Sequence, residues 1–81
     1  MTKSLAQKNI RLSLEFDRYV SKNPRVLDRI PNRSEIIMTS ANDRELSEAN
    51  LGIARRARSG RFVIAHKSDG RWTIKRVAKI S

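Results

Sequence analysis

The dipeptide Asp69-Gly70, set between two runs that resemble β-strands, most narrows the folds open to this chain. A two-residue Asp-Gly loop favours a type I′ turn, whose twist matches that of an antiparallel strand pair. The preceding run, 61–67, is apolar on both faces after its first residue, which is typical of a central strand. The following run, 71–78, completes the pair. The sequence therefore predicts a β-hairpin whose first strand lies inside a sheet.

A long helix is predicted at the N-terminus, over residues 3–22. Its apolar stripe at helical spacing consists of Leu5, Leu12, Phe16, Tyr19 and Val20. Residues 10–16 also alternate between apolar and polar, as a strand would, but the alternation stops at Asp17 whereas the stripe spans about four turns. Ile10 and Leu14 project from nearly the opposite side and predict a second contact, with another element or another chain.

Two further elements follow before the crossover. Asn23 and Pro24 resemble an N-cap and a proline in the first turn, so a short helix is predicted over residues 24–30. A β-branched run bounded by turn residues predicts a strand over residues 35–39.

The third helix is predicted over residues 43–59. Asn42, with Glu45 three residues later, resembles a capping box, and Gly60 lies where a left-handed C-cap is expected. The predicted buried stripe is Leu46, Ala49, Ile53 and Ala57.

These elements define an α+β protein of order α-α-β-α-β-β with a small three-stranded mixed sheet. A strand, crossover helix and strand imply that the first two strands are parallel, and the hairpin places the third antiparallel beside the second. If the helices cover only one face, the other face or the outer edge of the sheet is exposed. The simplest partner is a second copy, so a homodimer is predicted, with Ile10 and Leu14 as candidate interface residues.

Composition bounds the class of protein. With 81 residues and no linker or repeat, the chain is expected to be one small domain, 1–81. The absence of cysteine excludes disulfides, thiolate metal sites and a cysteine nucleophile, and fits a reducing compartment. No run of about 20 apolar residues is present, and the N-terminus lacks a signal-peptide apolar region. We therefore expect a cytoplasmic protein with no membrane partner.

One pattern resembles a known family. It comprises Leu12-Ser13-Leu14-Glu15-Phe16-Asp17-Arg18-Tyr19, then Pro24 and Ile30-Pro31, then Glu45-Leu46-Ser47-Glu48-Ala49-Asn50-Leu51. It resembles a family of small uncharacterised prokaryotic proteins, a domain of unknown function, over about residues 8–66. The resemblance supports the fold and implies no activity. It also implies more acidic residues where this chain has Arg55, Arg56 and Arg58, so the basic character there is particular to this protein.

The charge is concentrated in the last third of the chain. Residues 1–50 carry nine basic and seven acidic side chains, whereas residues 51–81 carry nine basic side chains and one acidic side chain, Asp69. A one-sided positive block of this kind is typical of surfaces that bind a nucleic acid backbone. The candidate contact residues are Arg55, Arg56, Arg58, Arg61, Lys67, Arg71, Trp72, Lys75 and Arg76.

Each member of that set has an ordinary structural alternative. Arginines in the last turn of a helix are favoured by its dipole, and basic residues on an edge strand prevent aggregation. Trp72 could stack on a base, but its alternation with Ile74 is equally that of a core or interface residue.

Catalysis and cofactor binding find little support. His66 could act as a general base in RNA cleavage beside Arg71 or Lys75, although a structural histidine at the end of a strand is the simpler interpretation. No metal-ligand spacing or phosphate-binding glycine loop is present, so no metal or cofactor is expected.

Three functional hypotheses follow. The first is a non-enzymatic module that binds nucleic acid, RNA or DNA, through the basic C-terminal third. The second is an assembly factor that holds an acidic partner protein through an exposed sheet face or the Ile10 and Leu14 stripe. The third is a small toxin-like ribonuclease that uses His66.

Overall fold

The computed structural model describes residues 3–57 and 60–77. Its elements are helix α1 (Lys3–Lys22), a 3-10 helix (Pro24–Arg29), strand β1 (Ser34–Ser40), helix α2 (Arg44–Arg56), strand β2 (Arg61–Ser68) and strand β3 (Arg71–Val77). This confirms the predicted α+β class and element order. Within the described ranges, no helix is long and apolar enough to cross a membrane.

The sheet has the predicted topology, with β2 in the centre. β1 runs parallel to β2, and β3 runs antiparallel on its other side. In the turn between β2 and β3, Asp69 and Gly70 have φ values of 52° and 75°. Positive φ at both central residues is what a type I′ turn requires. Asp69 and Gly70 therefore form the hairpin turn that the sequence predicted.

Helix α1 packs on one face of this sheet, which we call the α1 face. Its buried residues Leu5, Leu12 and Phe16 form one apolar cluster with Ala65 of β2 and Trp72 of β3. These are the residues of the predicted stripe, because one face of a helix this long repeats every three to four positions. Ile10 and Leu14, on the other side of the helix, are 63% and 55% exposed.

The second half of helix α2 packs on the opposite face, which we call the α2 face, whereas its Leu46 and Ala49 join the cluster under α1. Its Ala54 forms a second apolar cluster with Ile37 of β1 and Phe62 of β2, and Leu51 packs against that cluster. The helices therefore occupy both faces, so the case in which they cover a single face does not arise. Coverage on the α2 face is partial, because α2 packs mainly on β1 and leaves Thr73 and Lys75 of β3 exposed.

The predicted details of α2 need three corrections. The N-cap is Asp43, whose carboxylate accepts a hydrogen bond from Leu46 N–H at 3.1 Å, instead of Asn42. The helix ends at Arg56 with Ala57 as its C-cap, before the predicted end at Ser59, and residues 58 and 59 lie outside the described ranges. Gly60 has φ 135°, which is not the left-handed cap conformation.

The buried stripe of α2 is also rotated from its predicted position. Leu46, Asn50 and Ala54 are buried, whereas Ile53 is 46% exposed. Asn50 takes the inner position because its amide donates to the carbonyl of Met38 at 2.8 Å and bonds Asn9 of α1. A buried amide with these partners outweighs the hydrophobic pattern by which the stripe was predicted.

The short second helix is a 3-10 helix that ends at Arg29, one residue before the predicted end. Asn23 makes no side-chain cap for it. Its Nδ2 donates instead to the carbonyl of Tyr19 at 3.0 Å, so Asn23 closes the end of α1.

Candidate nucleic-acid interface

The basic residues of the C-terminal third divide between the two faces of the sheet. Successive strand residues point to opposite faces, so Lys75 and Arg76 must diverge. Arg76 lies opposite Val63 on the α1 face, and Lys75 lies opposite Ile64 on the α2 face. The described residues therefore do not form the single basic surface on which the first hypothesis depended.

The two cations on the α1 face at the hairpin are engaged within the protein. The Lys67 ammonium lies 2.5 Å from Glu15 Oε2 of α1. Arg76 Nε donates to the carbonyl of Arg29 at 3.1 Å. Both contacts join the hairpin to the N-terminal helices, so these two side chains have structural partners that a ligand would have to displace.

Trp72 is a core residue. It is 7% exposed, and its ring meets that of Phe16 edge to face with centroids 5.0 Å apart. An indole in this position cannot stack on a base without leaving the core, so Trp72 drops out of the candidate set. Its alternation with Ile74 had already indicated this alternative.

The remaining arginines lie at the other end of β2. Arg55 and Arg56 occupy the last turn of α2, and Arg61 begins β2; all three are exposed. Arg55 forms an exposed ion pair with Glu48 at 3.7 Å, which is of little energetic weight. Arg58 lies outside the described residues. This group is separated from Arg71, which is opposite Ser68 at the far end of β2, by about 23 Å at 3.3 Å per residue.

The α2 face holds a cleft of about 570 Å³ between α2 and β3. Its lining residues are basic (Arg44, His66 and Lys75), hydroxyl-bearing (Thr39, Ser40, Ser47 and Thr73) or apolar (Ala41, Leu51 and Ile64). No carboxylate lines it. Arg71 shares this face of β3 by strand alternation and extends its positive edge.

Two hydroxyls and the histidine organise the floor of the cleft. His66 Nδ1 and Thr39 Oγ1 lie 2.7 Å apart, and Thr39 is 4% exposed. The buried Thr39 hydroxyl therefore fixes the orientation of the imidazole ring. Ser47 Oγ donates to the carbonyls of Ser40 and Asp43. The Thr73 hydroxyl has no partner among the described residues and is exposed at the cleft wall.

Arg44 is a candidate site residue that the sequence did not single out. It is the first residue of α2, where a positive charge opposes the helix dipole and so stabilises nothing locally. No ion pair among the described residues involves Arg44, Arg71 or Lys75. The signal that could have found it is this cation at a helix position that favours acidic residues.

The neighbouring carboxylate of Asp43 is directed away from these charges. Hydrogen bonding from the Leu46 backbone, followed by the hydrogen bond from Lys8, holds the pKa of Asp43 below its ordinary value of 3.8. Lys8 Nζ lies 3.0 Å from Asp43 Oδ2. Asp43 is thus paired with α1, and the charge of Arg44 stays uncompensated.

Metal binding finds no support in the described ranges, where no group of three histidine or acidic side chains is placed to hold an ion. The arrangement is therefore suited to holding an anion through cations and hydroxyls.

The fold and the cleft define a small α+β domain with an open mixed sheet and a cationic surface on one face. The chain belongs to DUF5647, a family of unknown function, whose family model matches residues 4–68. The matched segment ends with β2, so Arg71 and Lys75 on β3 lie beyond it. No curated protein and no solved structure matches the chain.

Proposed function

We propose that this protein binds the phosphate backbone of nucleic acid in the cleft on the α2 face. The observation that carries the proposal is a lining with two cations, Arg44 and Lys75, and no carboxylate. The first hypothesis from the sequence is kept, but its contact residues change. Lys75 and Arg71 remain, Arg44 joins them, and Trp72, Lys67 and Arg76 are assigned structural roles.

The chemistry of the cleft fits phosphate. Arg44 of α2 and Lys75 of β3 both line the cleft, and the Thr73 hydroxyl supplies a neutral donor between Arg71 and Lys75 along β3. An arginine fork bonds two phosphate oxygens at once, and an ammonium acts as a point charge. Ile64 and Leu51 add an apolar floor that accepts a sugar or base without reading its sequence. The expected binding is therefore independent of sequence.

The whole molecule assists this site. The net charge of +10 raises the local concentration of any polyanion and speeds its approach at low salt. Each phosphate neutralised also releases condensed counterions, so affinity depends steeply on salt. A cytoplasmic location, where such a polyanion is abundant, belongs to this proposal.

The test is fluorescence anisotropy with labelled single-stranded RNA, single-stranded DNA and duplex DNA across a salt series. We expect the double variant Arg44→Glu, Lys75→Glu to lower affinity at least about tenfold and to reduce the salt slope by about two. The matched control is Arg18→Glu, Arg25→Glu, which changes net charge equally at exposed positions away from the cleft. Equal losses in both variants would show a diffuse charge effect and reject the cleft.

The same assay separates the other two hypotheses. Polyglutamate of similar charge density is the probe for an acidic protein partner, and tighter binding to it than to any oligonucleotide would favour an assembly factor. Gel analysis of the oligonucleotide after incubation tests for cleavage. Cleavage that disappears in His66→Ala would favour the ribonuclease, because His66 lies in the cleft beside Lys75.

A further inference from the structure

Strand β1 has an open outer edge. Main-chain groups alternate along a strand, and those of Ser34, Ile36, Met38 and Ser40 point away from β2. Ser47 bonds both main-chain groups of Ser40, and Asn50 bonds the carbonyl of Met38. The N–H of Ser34 donates to Pro31. Four main-chain groups are therefore left to bond an added strand: the Ser34 carbonyl, the Ile36 N–H, the Ile36 carbonyl and the Met38 N–H.

A groove of about 310 Å³ runs along this edge between α1 and α2. Its walls are Asn9 and Ser13 of α1 and Asn50 and Ile53 of α2. Glu35 is the only charged residue in its lining, so the groove carries no cation. On a chain of net charge +10, this is a surface where two identical molecules approach without opposing positive charges.

Exposed apolar side chains gather on the elements that border the groove. Among the described residues, the large exposed hydrophobic side chains are Ile10, Leu14, Leu27, Ile36 and Ile53. Two of these five, Ile36 and Ile53, line the groove, and Ile10 and Leu14 each follow one of its lining residues along α1. Exposed apolar side chains beside an unpaired strand edge are typical of an interface.

We propose that a second copy of this chain occupies the edge, with the two β1 strands antiparallel about a two-fold axis at Ile36. This register pairs Ile36 with itself through two N–H to carbonyl bonds. It also sets each Ser34 opposite the partner copy's Met38, so that the two free groups bond each other. The four groups left open are used, and those already bonded inside the protein are not needed.

A neighbouring register is less favourable. Centring the axis on Glu35 sets two carboxylates directly opposite each other, which is destabilising in a sheet. The Ile36 register instead sets Glu35 opposite Ile37. It produces one continuous six-stranded sheet, with β3 at both outer edges and both cationic clefts on the same side. The dimer itself does not depend on what those clefts bind.

Disulfide trapping tests this register directly, because the natural chain has no cysteine. Opposed residues in a hydrogen-bonded antiparallel pair have Cα atoms about 5.5 Å apart, within the range that a disulfide spans. We expect Ile36→Cys to form a covalent dimer under mild oxidation. The control is Leu27→Cys, which is similarly accessible but lies away from the edge. Equal trapping of the two variants would overturn the proposal.

Light scattering on the unmodified chain gives the second readout. We expect the unmodified chain to form a dimer. We expect Ile53→Glu to raise the dissociation constant of this dimer at least about tenfold, and Leu27→Glu to leave it unchanged. Circular dichroism identifies any variant that fails to fold, and Ile36→Pro then replaces it, since that edge N–H bonds nothing within one copy. A monomer at all concentrations, or a dimer indifferent to both edge variants, would reject the interface. Neither result bears on oligonucleotide binding.

Discussion

The side-chain amides of Asn9 and Asn50 bond each other in both directions, at 3.0 and 2.8 Å, and so connect α1 to α2 beside Met38 on the outer edge of β1. Asn50 is 6% exposed and also donates to the carbonyl of Met38. This small polar cluster holds both helices at the open edge of β1. It therefore sets the shape of the groove proposed as the dimer interface.

Removing this amide should destabilise the fold. We expect Asn50→Ala to lower the free energy of unfolding by about 1–3 kcal/mol, because it strands polar groups at a buried position. Urea denaturation measures the change. Asn42→Ala, at an exposed turn, is the matched control and should shift the midpoint little. Equal midpoints for the two variants would contradict this account of Asn50.

Trp72 provides a built-in probe of the core. We expect Trp72→Ala to cost about 3–5 kcal/mol, as for other large aromatic truncations, and Trp72→Phe to cost less. Thermal unfolding followed by circular dichroism gives both values. The native indole should emit at short wavelength and stay unchanged when oligonucleotide is added. Quenching on binding would mean that the indole contacts the ligand after all.

Two glycines should respond oppositely to the same substitution. Gly70 has φ 75°, and nothing lies within 4 Å of an added Cβ, so Gly70→Ala should cost about 1–2 kcal/mol from backbone strain alone. Gly52 lies inside α2, and an added Cβ meets only Arg56 at an ordinary 3.5 Å. Gly52→Ala should therefore stabilise by about 0.5–1 kcal/mol. Chemical denaturation compares the pair, and changes of the same sign would refute the prediction.

Asp43 should contribute to acid stability. Its pKa is lower in the folded protein than the ordinary 3.8, because the Leu46 N–H and then Lys8 favour the ionised form. A lowered folded pKa adds stability that is fully present above the unfolded value and is lost as pH falls through the folded value. We expect Asp43→Asn to reduce the loss of unfolding free energy that the wild-type protein shows as the pH falls below about 4. Lys8→Met should reduce this loss partially, and an unchanged profile in both would remove Asp43 as the cause.

Local sequence signals were sufficient to predict the secondary-structure elements and their order along the chain. Asp69-Gly70 determines its own turn through φ preferences, and the stripe of α1 repeats over enough turns to outweigh the short alternation at residues 10–16. The parallel pairing of β1 and β2 follows from the helix between them. The predicted strand bounds lie within one residue of those observed, where the chain is described.

The sequence by itself therefore determined the hairpin, the three helical segments and the strongly basic character of the last third. Tertiary structure alone decided which cations share a surface, because strand alternation sends Lys75 and Arg76 to opposite faces and partners on α1 engage Lys67. It also placed Arg44 and Lys75, two residues from distant parts of the chain, in the lining of one cleft. Composition records how many charges a chain carries, whereas their common field depends on distances that exist only once the sheet and helices have packed.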